Sequence, residues 1–317
     1  MKEKILALLR KNKEISGEEI SRQLHISRAA VAKHIKSLRQ MGYEIQASTK
    51  TGYYFKAAPD KLLSAEIALY LPPDNDCNWH ICTLDQADST NLVLRKMANL
   101  EAPEFTVVIA DEQTAGRGRL QRGWYAPPHT GLWMSVLFRP TLAPMLAQTI
   151  TLTTAVAIAQ ACQDLGIKAQ IKWPNDVLVD GKKICGILCE MQADMDHVTW
   201  IIVGAGVNIN QDAFPPELAD IATSLSLAKG EPLTRNIVAA NALYRLGQNY
   251  RILCREGFAP IRQKWKDKAV NLGKTVTVRD ASGQRTGKAL DIDEAGYLLF
   301  EETNGTICRI TAGDILL

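Results

Sequence analysis

Two apolar runs, "DVLV" and "KKICGIL", are separated only by Asp180-Gly181, and that spacing limits the fold more than any other stretch of the chain. An Asp-Gly pair matches a two-residue turn with positive φ at both positions, so the runs it joins must be neighbouring antiparallel strands. Parallel neighbours need a crossover of about a dozen residues or more, which argues against a sheet built wholly from doubly wound βαβ units. Further strand-like runs are "FTVVIADEQ", "GLWMSVLF" and "TWIIVGAGVNIN", and a long apolar helix, "LAQTITLTTAVAIAQACQDLG", is closed by Gly166. The sum predicts a multidomain α+β chain whose central mixed β-sheet carries helices on one face.

The glycines do not announce a nucleotide fold. Gly116-x-Gly118 fails to continue to G-x-G-x-x-G, and neither Gly204-x-Gly206 nor any other stretch supplies a phosphate loop ending in Gly-Lys-Ser/Thr. A nucleotide bound here is held in another way. Arg117, Arg119 and Arg122 are threaded between glycines that admit backbone N–H groups to a ligand, and Trp124 adds apolar surface. Lys172 and Asp176 flank Trp-Pro-Asn, a stiff turn, and Lys183 opens the following strand. Three guanidiniums, two ammoniums and one carboxylate describe an anion site. Ser89, Thr90 and Asn91 precede a helical pattern, where they either cap the helix or meet a polar ligand.

The N-terminal sixty residues differ in charge from the rest. They hold 12 Lys+Arg against 6 Asp+Glu, whereas the remainder holds 25 against 28. "KEKILALLRKN" has helical apolar spacing, Ser16 with Glu19 forms a capping box for a second helix, and Ser27 caps a third, which Gly42 ends. "YEIQASTKTGYYF" adds a hairpin wing. This is a winged helix-turn-helix whose third helix offers Ser27, Arg28, Lys33, His34 and Lys36 to a DNA major groove, with Lys50 on the wing for phosphate. The alternative is a small helical domain whose lysines only solvate it.

With 317 residues, 46% hydrophobic and 22% charged, the chain can bury a large core, and no window approaches the 20 or so apolar residues of a bilayer span. Seven scattered cysteines without a C-x-x-C pair read as small buried or half-buried thiols rather than disulfides or zinc ligands, and no metal-ligand set is assigned. A cytoplasmic protein without a membrane partner is expected.

"STN", "EQTAGRGR" followed by a tryptophan, "KWPNDV", "GKKICGIL" and "GAGVNIN", in that order and spacing, resemble the biotin-protein ligases. With the helix-turn-helix in front, the chain resembles the bifunctional biotin operon repressors. The resemblance implies a winged helix-turn-helix at 1–58, a class II synthetase-like ligase domain at 59–270 and an SH3-like β-barrel at 271–317. The last of these also reads independently as about five short strands with turns at "DASG", "DEAG" and "TNG".

It further implies two reactions: activation of biotin by ATP, with Mg²⁺, to biotinoyl-5′-AMP, and transfer to a lysine of a biotin carboxyl carrier domain. Operator DNA and an adenylate-bound homodimer are the implied regulatory partners. By matching motif, Ser89, Thr90, Asn91 and Gln113 meet the ureido ring, while Gly116, Arg117, Gly118 and Arg119 wrap the biotin tail and phosphate. Lys183 meets the carboxylate, and Trp124 forms an apolar wall. Arg122, Lys172, Asn175, Asp176 and Asn208 belong with ATP, metal or transition state, and Gly186 joins the binding set; Lys183, Arg119 and Asp176 are the catalytic candidates.

The segment "NQDAFPPELADIATSL" is either a closing loop or an ordinary surface loop. Where family members often read Gly-Arg-Gly-Arg-Arg-Gly-Arg, this chain has Leu120-Gln121, which removes a glycine and a charge. A biotin sensor without chemistry and a ligase for another acid, such as lipoate, are the competing readings.

Overall fold

The computed structural model describes residues 1–48, 51–195, 197–280 and 283–316. Two compact units divide it, Met1–Leu71 and Pro72–Leu317.

In the first unit, α1 (Lys2–Lys11), α2 (Gly17–Leu24) and α3 (Arg28–Gln40) precede the hairpin β1 (Glu44–Ser48) and β2 (Gly52–Ala57), then α4 (Ser64–Tyr70). Ser16 Oγ accepts from Glu19 N at 3.0 Å and Ser27 Oγ from Ala30 N at 3.1 Å, so both expected caps form. Glu19 gives no reciprocal bond: its carboxylate turns to Arg22 and Gln23, and only half of the capping box exists. His25, at φ 52°, makes the turn between α2 and α3, and Gly42, at φ 93°, follows α3. Val31, Ile35 and Leu38 are buried along one stripe of α3, each stabilising by about 1.5–3 kcal/mol.

The wing is tied back to the helices. Ile15 and Tyr53 exchange backbone hydrogen bonds of 2.9 and 2.8 Å, and Arg39 Nε donates to Ile45 O at 2.7 Å. Gly52, at φ 99°, lies so close to Ile15 and Ser16 that a Cβ would overlap their backbone. The unit continues past residue 58 through α4, where buried Glu66 pairs with Arg10 and Tyr70 Oη accepts from Arg10 Nη1 at 2.8 Å. The Arg10 guanidinium also covers the Phe55 ring at 4.6 Å. Burial, with Glu66 adjacent, pushes the Tyr43 hydroxyl well above its ordinary value.

The second unit is a seven-stranded sheet in the order β3-β4-β5-β9-β8-β7-β6. Its elements are β3 (His80–Ala87), α5 (Thr90–Asn99), β4 (Thr106–Gln113), β5 (Gly131–Phe138), α6 (Ala147–Asp164), β6 (Gln170–Lys172), β7 (Asp176–Val179), β8 (Lys182–Ala193) and β9 (Val198–Asn208). Among the described residues, β3 and β4 are the one parallel strand pair of this sheet and its other neighbours are antiparallel, with Asp180-Gly181 at positive φ between β7 and β8. The sheet continues into α7 (Leu225–Lys229), α8 (Arg235–Glu256) and α9 (Ala259–Lys266).

Helices occupy both faces, not one. Leu94 and Ala98 of α5 pack with Val108, Leu137 and Ile202, whereas Phe138, on the opposite face of β5, stacks on Tyr250 of α8 at 4.0 Å. All eight residues of β5 are consequently buried, which one covered face would not produce. The segment Pro144–Asp164 also corrects the expectation that no window approaches a membrane span: it is long and apolar enough by composition, at a mean hydropathy of 1.4, yet 72% of that window is buried inside the protein. The cysteines form no disulfide, and all but Cys254 are buried or half-buried. Burial pushes the Cys162 thiol up to about 12.

A five-stranded antiparallel sheet follows, ordered β13-β12-β11-β10-β14, from β10 (Thr275–Asp280), β11 (Gly283–Ile292), β12 (Leu298–Glu302), β13 (Ile307–Ile310) and β14 (Asp314–Leu316). It joins the larger sheet through Trp173, whose Nε1 donates to Gly296 O at 3.1 Å and whose backbone N donates to Asn271 Oδ1 at 3.1 Å.

Candidate functional site

A cavity of about 740 Å³ opens on the α5 face of the large sheet. Its floor is made of missing side chains. Gly186, Gly204 and Gly206 face it from β8 and β9, and period-two alternation puts all three on one side. A Cβ on Gly206 would overlap the Trp124 indole, one on Gly186 would lie 2.8 Å from it, and one on Gly204 would overlap Asn91 Oδ1. The glycines therefore admit Trp124 and Asn91 against bare backbone.

At one end Ser89, Thr90, Asn91 and Gln113 line the cavity from α5 and β4. Ser89 holds the N-cap position but makes no side-chain cap bond, so the helix-cap alternative does not use up its hydroxyl. Thr90 N donates to Gln113 Oε1 at 2.8 Å.

At the other end stands a charged cluster. Lys183 Nζ is 2.6 Å from Asp176 Oδ1 and 5.3 Å from the centre of the Trp124 ring. Arg119 Nη1 donates to Asn175 Oδ1 and Gly313 O, both at 3.2 Å, while Arg122 pairs with Asp314 at 2.7 Å. Burial lowers the Arg119 guanidinium below its ordinary value, against the opposing pull of Asp314 and Asp176. Trp124 Nε1 is buried without a hydrogen-bond partner, a donor that a bound molecule could satisfy.

The arginine loop is a hairpin excursion. Gly118 N donates to Arg122 O at 2.8 Å and Trp124 N to Gly116 O at 2.9 Å. At its tip Leu120 and Gln121 both take left-handed conformations, with φ of 54° and 58°. The turn takes positive φ twice, and residue 121 is where glycine would remove the steric cost; nothing in the structure explains the glutamine there. Gln121→Gly is expected to relax the tip by roughly 1 kcal/mol, offset in part by the freedom gained in the unfolded chain. Faster amide hydrogen exchange at the tip in the wild type than in the variant would check this.

Most of the expected set converges. Arg117, Gly118, Arg119, Arg122, Trp124, Lys172, Asn175, Asp176, Lys183, Gly186 and Asn208 line the cavity together with the four residues from α5 and β4. Gly116 does not: it lies behind the wall, where a Cβ would come within 2.7 Å of Trp124 O, so its place is in loop packing. Asn208 spends its amide on Thr223 O and Gln211 Nε2, both at 3.1 Å, which organises the segment after β9. That segment is docked: Lys183 N donates to Ile221 O at 2.8 Å, and Phe214, Leu218 and Ile221 cover the cavity.

Sequence reasoning missed Asp314 and Arg279, which reach the cavity from the C-terminal sheet, and the buried Asp111–Arg235 pair at 2.6 Å, which also holds His129 Nδ1 at 2.7 Å. It missed Ser135 and Glu190 behind Asn91; a serine inside the apolar run "LWMSVLF" was the available signal.

In the first unit Ser27 is committed to the α3 cap, Arg28, Lys33 and Lys36 are exposed, and His34 is half-buried. Lys50 lies outside the described residues.

A family model described as "Biotin/lipoate A/B protein ligase family" matches residues 83–208, an "HTH domain" model matches 2–54, and "Biotin protein ligase C terminal domain" matches 272–317. The "Bifunctional ligase/repressor BirA" of Bacillus subtilis (strain 168) is 43% identical over 96% of this chain and 94% of its own. The chain belongs to the bifunctional ligase/repressor family. A more distant relative of the same description, from Escherichia coli (strain K12), is 29% identical over 99% of this chain and 96% of its own. The solved structure "Biotin protein ligase from Aquifex aeolicus in complex with biotin and ATP" superposes with a TM-score of 0.65 at 30% identity, over 75% of this chain and 97% of that one.

Proposed function

We propose that the second unit activates biotin with ATP and transfers it to a lysine of a biotin carboxyl carrier domain, and that the first unit binds operator DNA as a repressor responsive to biotinoyl-5′-AMP. The observation that carries the ligase reading is a single cavity with a polar, glycine-floored end and, beyond Trp124, a cationic end holding Lys183 beside Asp176. That pairing fits a ligand with a small polar ring, an apolar body and an anionic reacting tip.

In the first step a carboxylate oxygen of biotin attacks the α-phosphorus of ATP, the bond to the bridging oxygen breaks, and pyrophosphate leaves. Lys183 holds the carboxylate as it becomes the acyl phosphate, and Arg119 and Arg122 offset phosphate charge. In the second step the carrier lysine nitrogen attacks the acyl carbon, AMP leaves, and the nitrogen loses its proton. An ordinary lysine, with a pKa of about 10.4, must give up a proton to become a nucleophile, and Asp176 lies beside the reacting end to receive it.

Among the described residues no three His, Cys, Asp or Glu side chains are grouped to hold a metal. Mg²⁺ would be held by the triphosphate and one protein carboxylate, Asp176, since Mg²⁺ is commonly held by one or two carboxylates plus phosphates. Bound there, it would neutralise phosphate charge. The reading also includes an SH3-like closure of the last sheet at 271–317, a homodimer of the adenylate-bound form and a cytoplasmic location.

The test incubates the full chain with labelled biotin, ATP, Mg²⁺ and a carrier domain. Label on the carrier is expected; no adenylate would overturn the ligase reading, and label from lipoate alone would replace its substrate. For the repressor, salt-dependent retardation of operator duplex, strengthened by biotinoyl-5′-AMP, is expected.

A further inference from the structure

We infer that Glu190 and Ser135, neither of which lines the cavity, are positioning residues that fix the hydrogen-bonding polarity of the site and so its specificity for a cyclic urea. This rests on the biotin reading above.

The chain of bonds begins at a group that can only accept. Glu190 Oε2 receives Asn91 Nδ2 at 2.8 Å, which fixes the orientation of the Asn91 amide and turns Oδ1 toward Ser135. Asn91 Oδ1 has no hydrogen, so the 2.6 Å contact with Ser135 Oγ places the serine hydroxyl hydrogen there. Ser135 Oγ also lies 2.7 Å from Thr90 Oγ1. Ser135, its one hydrogen spent on Asn91, accepts at that contact, and Thr90 Oγ1 also lies 3.1 Å from Gln113 Oε1, so the Thr90 hydrogen is held within the wall, between Ser135 Oγ and Gln113 Oε1, and Thr90 faces the cavity with lone pairs. Gln113 joins the same chain, since its Oε1 takes the Thr90 backbone N–H at 2.8 Å and lies 3.1 Å from the Thr90 hydroxyl, and its Nε2 is the free end.

The result is an alternation of acceptor and donor in the cavity wall, which complements the N–H and C=O groups of a cyclic urea. The network is built to hold. Ser135 is fully buried and Asn91 is 5% exposed, and Gly204 leaves the space that Asn91 Oδ1 fills. Reversing the Asn91 amide would set its oxygen against the Glu190 carboxylate, so the chain favours one arrangement at that end.

The readout that a merely structural role would not move is selectivity between biotin and 2-iminobiotin, whose charged C=NH₂⁺ group donates where the ureido oxygen accepts. Biotin-dependent ATP–pyrophosphate exchange would be measured on the full chain for wild type, Glu190→Gln and Ser135→Ala. Glutamine can donate as well as accept, so the Asn91 amide is free to reverse; Ser135→Ala removes the hydroxyl and tests the same chain if the first variant folds poorly. Expected are a rise in KM for biotin on the order of tenfold, KM for ATP and kcat within about twofold, and a fall in the biotin preference on the order of tenfold. Unchanged selectivity in both variants, or an equal loss with biotin, 2-iminobiotin and ATP, would overturn the proposal. A wild-type chain that forms no biotinoyl-adenylate would instead overturn the biotin reading and the proposal with it.

Discussion

Replacing Lys183 with alanine is expected to slow biotinoyl-adenylate formation by about 10²- to 10³-fold, the scale of losing one preorganised charge-stabilising group. Lys183 is held from three sides: Asp176 at 2.6 Å, the Trp124 ring at 5.3 Å, and the backbone pairing of residue 183 with Ile221. A cation held in this way needs little reorganisation when negative charge develops. Removing it also leaves Asp176 unpaired near the incoming triphosphate, so the loss should fall on kcat more than on biotin binding. Single-turnover adenylation is the measurement. Transfer from synthetic biotinoyl-5′-AMP should be affected less, and near-normal adenylation would remove Lys183 from the reacting end.

Gly204→Ala is expected to raise KM for biotin by about a hundredfold or more. The added methyl would overlap Asn91 Oδ1 on the central strand β9, where Gly204 pairs with Ser135 on one side and Leu188 on the other. Neither strand can retreat, because β5 is buried along its whole length. Asn91 must therefore leave its place, giving up its bonds to Glu190 and Ser135 together. Titration with biotin alone, by calorimetry, would read the effect without the ATP step; wild-type affinity would show that the wall tolerates the methyl.

What was legible in the sequence was whatever local chemistry fixes. Asp180-Gly181 supplies the positive φ that a two-residue hairpin turn needs, and Ser16 and Ser27 cap helices from three residues away. The site motifs were legible because each is a short run that one turn or strand end presents as a unit, as at Asn175, Asp176 and Lys183.

Features that depend on distant partners were not. Arg119 and Gly313 meet across 194 positions, and nothing near Asp314 in the sequence marks it as part of the cavity. That helices cover both faces follows from α5 and α8 taking opposite sides of β5, a choice made by packing and not by β5 itself. Gly116 shows the converse: its motif membership was read as ligand contact, whereas it packs against Trp124 within the loop and does not line the cavity.

Asp314 also changes what the arginine count means. Arg119 and Arg122 already have an anionic neighbour, at 3.5 and 2.7 Å, before any phosphate arrives. An entering polyanion exchanges one partner for another, so its affinity reflects a difference between two ion pairings and not the sum of new ones. Salt weakens both sides of such an exchange. The cationic end therefore favours phosphate by geometry more than by net charge, and small anions that cannot span both guanidiniums have little advantage over the carboxylate they would have to displace.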